Sequence, residues 1–224
     1  MKVLILHQHF NTPTDGGAIR SYYLAKALID HQFEVTVITG YNGKTYKLEN
    51  VEGIEIHYLP VSYENSYGFW KRSISFLRYN FEVAKLAGGI IDIKICYAIS
   101  VPLTIGLAAY WIKLRYKINY IFEVGDLWPE APIQMGFIKN YIFKHFLFGL
   151  EKFIYKNASS IVALSPMIKT SIEKKAPGTT VHFIPNMADT DFYRPEAKHP
   201  VLVNKFGLGE PRRDWSLRAI ALAN

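Results

Sequence analysis

The 224-residue chain predicts an α/β fold, a doubly wound, mostly parallel Rossmann-like sheet with helices on both faces, and three observations predict it. Short β-branched apolar runs alternate with longer amphipathic segments, which is the pattern of strands separated by helices. That alternation implies parallel pairing through right-handed crossovers. Half of the residues are apolar, enough for one well-buried core, yet no stretch approaches the roughly 18 uninterrupted apolar residues of a membrane-spanning helix.

Seven strands are expected, at residues 3–6, 34–39, 54–59, 91–96, 120–123, 160–164 and 181–184. Between the first two, residues 18–29 place Ile19, Tyr23, Leu24, Ala27 and Leu28 on one helical face, and residues 101–114 and 138–155 are also helix-patterned. Residues 41–53 are turn-rich and fit either a hairpin-like excursion or a mobile loop. In the stretch from Phe69 to Lys85, Trp70, Ile74, Leu77, Phe81 and Ala84 form a core-like stripe while Lys71, Arg78 and Lys85 recur on another face. From Asn140 to Lys156, Phe143, Leu147, Leu150 and Ile154 can pack inward, leaving Tyr141, Phe148 and Tyr155 beside Lys144, Lys152 and Lys156. Such basic aromatic faces suit contact with an anionic leaflet or an ordinary partly covered surface helix.

A formal charge of +7 favours an anionic partner: nucleic acid, a phosphorylated small molecule or an anionic membrane. No nucleic-acid motif accompanies the charge, so nucleic acid is disfavoured. The lone Cys96 sits in an apolar run and reads as core packing. The N-terminus MKVLILHQHF has too short an apolar core for a signal peptide, so a cytoplasmic chain is expected. Composition shifts at Arg194-Pro195, dividing residues 1–194, one Rossmann-like domain, from residues 195–224, a linker and the opening of a further domain.

In a doubly wound sheet, ligands bind beyond the carboxyl ends of the strands, and the first strand-to-helix loop is the usual phosphate site. Here that loop reads HQHFNTPTDGGAIR. Asp15 can cap the helix, Gly16 and Gly17 admit close backbone approach, and Arg20 adds a charged donor one turn on. A tight turn with a solvated Arg20 satisfies the same residues. Neither G-x-G-x-x-G nor G-x-x-x-x-G-K-[ST] is present, which counts against nicotinamide and P-loop nucleotide chemistry. The fifth expected strand runs into EVGDLWPE, placing Asp126, Trp128 and Glu130 at the same sheet edge.

With the first loop, the segment Tyr97-Ala98-Ile99-Ser100-Val101-Pro102-Leu103, EVGDLWPE, the strand exit at residues 161–166, and Ile184-Pro185-Asn186 with Asp189 and Phe192, the chain resembles the N-terminal domain of glycosyltransferase family 4. Those are enzymes of the GT-B architecture, and the likeness is greatest to bacterial surface-polysaccharide members. The resemblance implies sugar transfer from a nucleotide-sugar donor to a hydroxyl, with retention of configuration, no metal and no cofactor. It places Gly16, Gly17 and Arg20 at the donor diphosphate. It makes Asp126 the leading candidate to accept or orient the acceptor hydroxyl proton, with Glu130 behind it; a helix cap for Asp126 and a solvated first-turn carboxylate for Glu130 are the bland alternatives. His7, His9, Tyr97, Ser100, Trp128 and Asn186 are further candidate substrate contacts. Gly125 departs from the family pattern, where Arg or His more often precedes the Asp; His7 or His9 could then be recruited instead.

The acceptor expected on this resemblance is a lipid-linked saccharide of lipopolysaccharide, capsule or exopolysaccharide synthesis, reached at the inner face of the plasma membrane. A second α/β domain, or a partner subunit, would carry most donor contacts, so the isolated chain is expected to be inactive. A non-catalytic module that binds acceptor, nucleotide or protein is the rival reading.

Overall fold

The computed structural model describes residues 1–16, 19–64, 66–187 and 201. One compact unit spans Met1–Asn186. The other, Met187–Asn224, lies almost wholly outside the described residues, and so does the boundary expected near residue 194.

The chain runs β1 (Lys2–Leu6), α1 (Arg20–Asp30), β2 (Glu34–Gly40), β3 (Lys47–Val51), β4 (Ile54–Leu59), α2 (Phe69–Ala87), β5 (Ile93–Ile99), α3 (Ile105–Tyr116), β6 (Tyr120–Val124), α4 (Glu130–Gln134), α5 (Tyr141–Asn157), β7 (Ser160–Ala163), α6 (Pro166–Lys175) and β8 (Val181–Phe183). Eight strands form one sheet in the order β3-β4-β2-β1-β5-β6-β7-β8. All neighbours pair in parallel except β3 with β4. The eighth strand is β3, inside the turn-rich 41–53 segment, so that segment is a hairpin. Its turn places Glu52 and Gly53 at φ of 49° and 88°, the left-handed pair that a two-residue hairpin requires.

From β1 the chain moves once to one side, through α1, and then crosses back to the other side through α2, α3, α5 and α6. Right-handed crossovers in opposite directions put their helices on opposite faces. Accordingly, α1 packs with Val3, Ile5, Val35 and Val37 on one face, whereas α2, α3, α5 and α6 share the opposite core with Leu4, Leu6, Cys96, Phe122 and Ile161. The direction changes between β1 and β5, which is the topological switch point. Cys96 is fully buried there, as packing requires.

In α1, Ile19, Tyr23, Leu24 and Leu28 pack against the core as expected, together with the buried Ser21, Tyr22 and Ala25, while Ala27 faces solvent. Two helical faces differ further from expectation. In α2 the buried residues are Ser75, Tyr79, Val83 and Ala87, and the expected core stripe points outward. Two hydrogen bonds account for this rotation: Tyr79 donates to the Ile38 carbonyl at 2.6 Å, and Ser75 meets Gln8 Nε2 at 3.1 Å. In α5, Leu147 and Ile154 are buried as expected, but Tyr155 is buried with them and Phe143 is exposed. Asn140 caps α5 by accepting from Phe143 N–H at 3.0 Å, and Ser165 caps α6 by accepting from Ile168 N–H at 3.1 Å.

Helices α3 and α5 approach closely at Gly106, where a Cβ would overlap the Ile154 side chain. Gly106→Ala should therefore destabilise the fold by about 1–3 kcal/mol, the range for overpacking a core, despite the better helix propensity of alanine. Urea denaturation of the two proteins measures the difference; equal midpoints would refute this account of the contact.

Candidate functional site

Strand β6 carries an acidic residue, Glu123, to the carboxyl edge of the sheet, and its side chain is almost fully buried. A carboxylate withdrawn from water needs a counter-charge and hydrogen-bond donors. Arg20, the first residue of α1, supplies both: Nε donates to Oε1 at 3.0 Å and a terminal nitrogen to Oε2 at 3.1 Å. The Tyr97 hydroxyl, on the adjacent strand β5, donates to Oε2 at 2.6 Å. Burial and then the Glu123 carboxylate push the Tyr97 phenol well above its ordinary value, so it remains a donor. Arg20 also donates to the carbonyls of Pro185 (2.7 Å) and Ile184 (3.2 Å), in the segment leaving β8. One guanidinium thus joins the start of α1, β6 and the β8 exit.

This geometry corrects the expectation of an open-edge Arg20 free to meet a phosphate. Four of its five N–H donors are committed, leaving one. Gly16 has φ of +72°, a conformation that favours glycine, and nothing would touch a Cβ there, so the loop needs it for backbone shape. Gly17 lies outside the described residues. Asp15 does not cap α1. Its carboxylate accepts instead from the Thr12 N–H at 3.0 Å and hydroxyl at 2.7 Å, and the N-cap position of α1 is Ile19, which provides no side-chain cap.

Asp126 stands two residues beyond β6, exposed at the carboxyl edge, and among the described residues it has no hydrogen-bond or ion-pair partner. It does not cap α4, whose N-terminus has no side-chain cap. Glu130, by contrast, is partly buried and is not a solvated first-turn carboxylate. It is ion-paired with Lys175 of α6, which also holds Glu151 of α5 at 2.7 Å. Burial pushes the Glu151 carboxyl up, and Lys175 opposes that shift. Trp128 is half-buried against the core. Ser100 is buried at the end of β5, and its hydroxyl accepts from Gly125 N–H at 3.4 Å. Asn186 is exposed beside the Arg20 clamp.

His7 and His9 leave β1 at the switch point. His7 Nδ1 lies 2.8 Å from the Ser21 hydroxyl, and burial followed by the charge of His9 lowers its pKa to about 3. His9 packs on the Tyr63 ring at 4.3 Å, and burial lowers its pKa to about 4. Beside them opens a cleft of about 550 Å³, lined among others by His9, Asn11, Asn42, Lys47, Tyr58 and Tyr63. Gln8, also in its wall, is almost fully buried and its Oε1 has no partner among the described residues. Sequence reasoning missed this cleft, because its floor is completed by the β3–β4 hairpin. It missed Glu123 too, although an acid inside an apolar strand is itself a signal that a partner must be nearby. Among the described residues no cluster of His, Cys, Asp and Glu has the arrangement to hold a metal ion.

The eight-stranded, mostly parallel sheet matches the Rossmann-like domain of GT-B glycosyltransferases in fold. The chain is similar to sucrose-phosphate synthase from Thermosynechococcus elongatus, with a TM-score of 0.61 at 13% identity over 94% of this chain and 53% of that one. It is similar also to Anabaena Alr3699/HepE, solved in complex with UDP and glucose (TM-score 0.53, 16% identity, 92% and 50% covered). A third likeness is to the catalytic domain of starch synthase IV from Arabidopsis thaliana, bound to ADP and acarbose (TM-score 0.56, 15% identity, 89% and 54% covered). The chain spans about half the length of these structures. No curated sequence matches it significantly. The model of Glycosyltransferase Family 4 matches residues 14–192, and the chain belongs to that family.

Two outcomes follow from the geometry. Arg20→Ala leaves a buried carboxylate unpaired and should cost about 3–5 kcal/mol, with Arg20→Lys in between because it keeps the charge and loses the two-point contact; chemical denaturation measures both. The histidines act through pH: native His7 and His9 stay neutral where unfolded histidines, titrating near about 6.5, take up protons. Their stabilisation is full above that value and is lost as pH falls towards about 4 and then about 3, with a slope of up to about 1.4 kcal/mol per pH unit for each ring. Denaturation midpoints taken down to about pH 5 should fall for the wild type and fall less for His7→Gln.

Proposed function

We propose that the chain is the acceptor-side half of a retaining, metal-independent glycosyltransferase. It moves a sugar from a nucleotide-sugar donor to a lipid-linked saccharide in bacterial surface-polysaccharide synthesis, on the cytoplasmic side of the membrane. The observation that carries this reading is Asp126: an exposed carboxylate with no partner among the described residues, held at the carboxyl edge three residues beyond the Glu123–Arg20 pair. Glu123, Glu130 and Glu151 are paired; Asp30 and Asp92 are exposed without a partner among the described residues, but they stand before β2 and β5, at the amino ends of strands, whereas Asp126 stands at a carboxyl end. Asp126 is placed to orient an acceptor hydroxyl and accept its proton as the new glycosidic bond forms and the nucleoside diphosphate departs. The remaining N–H of Arg20 and the uncapped start of α1 offer donors for the diphosphate, where charge develops in the transition state. Donor binding is supported by the neighbours crystallised with UDP and with ADP. Glu130 is assigned no chemical step, since Lys175 already engages it.

The test is transfer of a labelled sugar into lipid-extractable product by this chain completed with a donor-binding half, with the anomeric configuration of the product read by NMR. Asp126→Asn keeps size and shape and removes the proton acceptor, so turnover should fall by about 10²-fold or more with donor KM and melting temperature nearly unchanged. Full turnover in Asp126→Asn would refute the assignment, and an inverted product would refute the stereochemistry.

A further inference from the structure

Helix α2 wears its apolar side outward. At about 100° per residue, Trp70, Ile74, Leu77 and Phe81 fall on one narrow stripe opposite the buried Tyr79. They are 77%, 64%, 60% and 60% exposed. Lys71, Arg78 and Lys85 line one flank of the stripe, and Lys85 lies 4.2 Å over the Phe81 ring. Glu82, the one acid in α2, is paired with Lys85 at 3.4 Å.

Helix α5 lies on the same face of the sheet, beyond α3, and repeats the arrangement. Ile142 and Phe146 are 78% and 63% exposed, turned away from the buried Leu147 and Ile154 by about 80° or more around the helix, and Lys152 and Lys156 are exposed further round. Its own acid, Glu151, is buried beneath it on Lys175. Together α2, α3 and α5 hold nine Lys and Arg against two Glu. These three helices therefore carry a formal +7, equal to the net charge of the entire chain.

Exposed aromatic and aliphatic side chains flanked by cations match the layered chemistry of an anionic leaflet, in which anionic headgroups overlie acyl chains. A second copy of the chain fits poorly, because a two-fold contact through this face would set basic flank against basic flank. Nucleic acid offers no apolar layer to receive the stripe.

We propose that the outward face of α2 and α5 seats the protein on an anionic lipid bilayer. Trp70, Ile74, Leu77 and Phe81 enter the headgroup–acyl boundary, and Lys71, Arg78, Lys85, Lys152 and Lys156 meet the headgroups. The proposal rests on the lipid-linked acceptor reading for its purpose alone; the binding itself follows from the surface.

The probe is the purified chain sedimented with phosphatidylcholine vesicles, with and without phosphatidylglycerol. The wild type should bind the anionic vesicles, more weakly as salt rises, with a blue shift of Trp emission. Each basic residue near the leaflet is worth about fivefold in partitioning, so Lys71→Gln/Arg78→Gln/Lys85→Gln should lower binding by about two orders of magnitude. Trp70→Ser/Phe81→Ser should lose the binding that survives at high salt, while Leu48→Ser, an exposed apolar residue of β3, should bind as the wild type does. Melting temperatures of all variants should match, since none of these side chains is buried. Failure of the wild type to sediment, or unchanged binding by Trp70→Ser/Phe81→Ser, overturns the proposal. A dimer in solution that Trp70→Ser/Phe81→Ser dissolves, without vesicle binding, overturns it in favour of a second copy. Vesicle binding by the chain, with no sugar transfer to lipid once it is completed with a donor-binding half, supports the docking face and removes the acceptor reading.

Discussion

Burial of the Glu123 carboxylate is the constraint on which the polar edge of this domain depends. A charge at the end of an inner strand is tolerated only with full compensation. The compensation comes from elements far apart in the chain: Arg20 at the head of α1 and Tyr97 on the neighbouring strand. The Arg20 side chain anchors the start of α1 where no cap does, and the same guanidinium gathers the segment that leaves β8. Around this fixed point, Asp126 stands clear of any partner among the described residues. The contrast between two carboxylates three residues apart, one saturated and one unsatisfied, is the main electrostatic fact of the edge.

The topology separates the domain's surfaces. Because the chain turns once one way and then repeatedly the other, α1 lies on one face and four crossover helices cover the opposite one. Strand ends and loops make the carboxyl edge polar. The three helices α2, α3 and α5 concentrate the positive charge on their own face. One scaffold can therefore hold small-molecule chemistry at an edge and present a broad, basic, apolar surface elsewhere without either compromising the other.

The candidate site was only partly legible from residue order. Asp126 was visible because a carboxylate just past an apolar strand must sit at a carboxyl edge in a parallel sheet. The partnership of Arg20 and Glu123 was not, since it joins residues 103 positions apart whose meeting depends on strand order. Glu130 belongs to the same motif as Asp126, yet the short α4 carries it to Lys175. The cleft beside His9 depends on Lys47 and Tyr58, which come together only when β3 folds back on β4.

Read alone, the chain determines the α/β class, the places of seven strands and the parallel sheet, because these follow from the local periodicity of apolar residues. Tertiary structure decides which side of each helix faces the core. Hydrophobic burial has no direction of its own, so an apolar stripe on α2 marks a helix without saying which way it turns. The choice falls with the hydrogen bonds made by the other side of α2: Tyr79 donates to the Ile38 carbonyl, Gln8 donates to Ser75, and the richer apolar face is left outside.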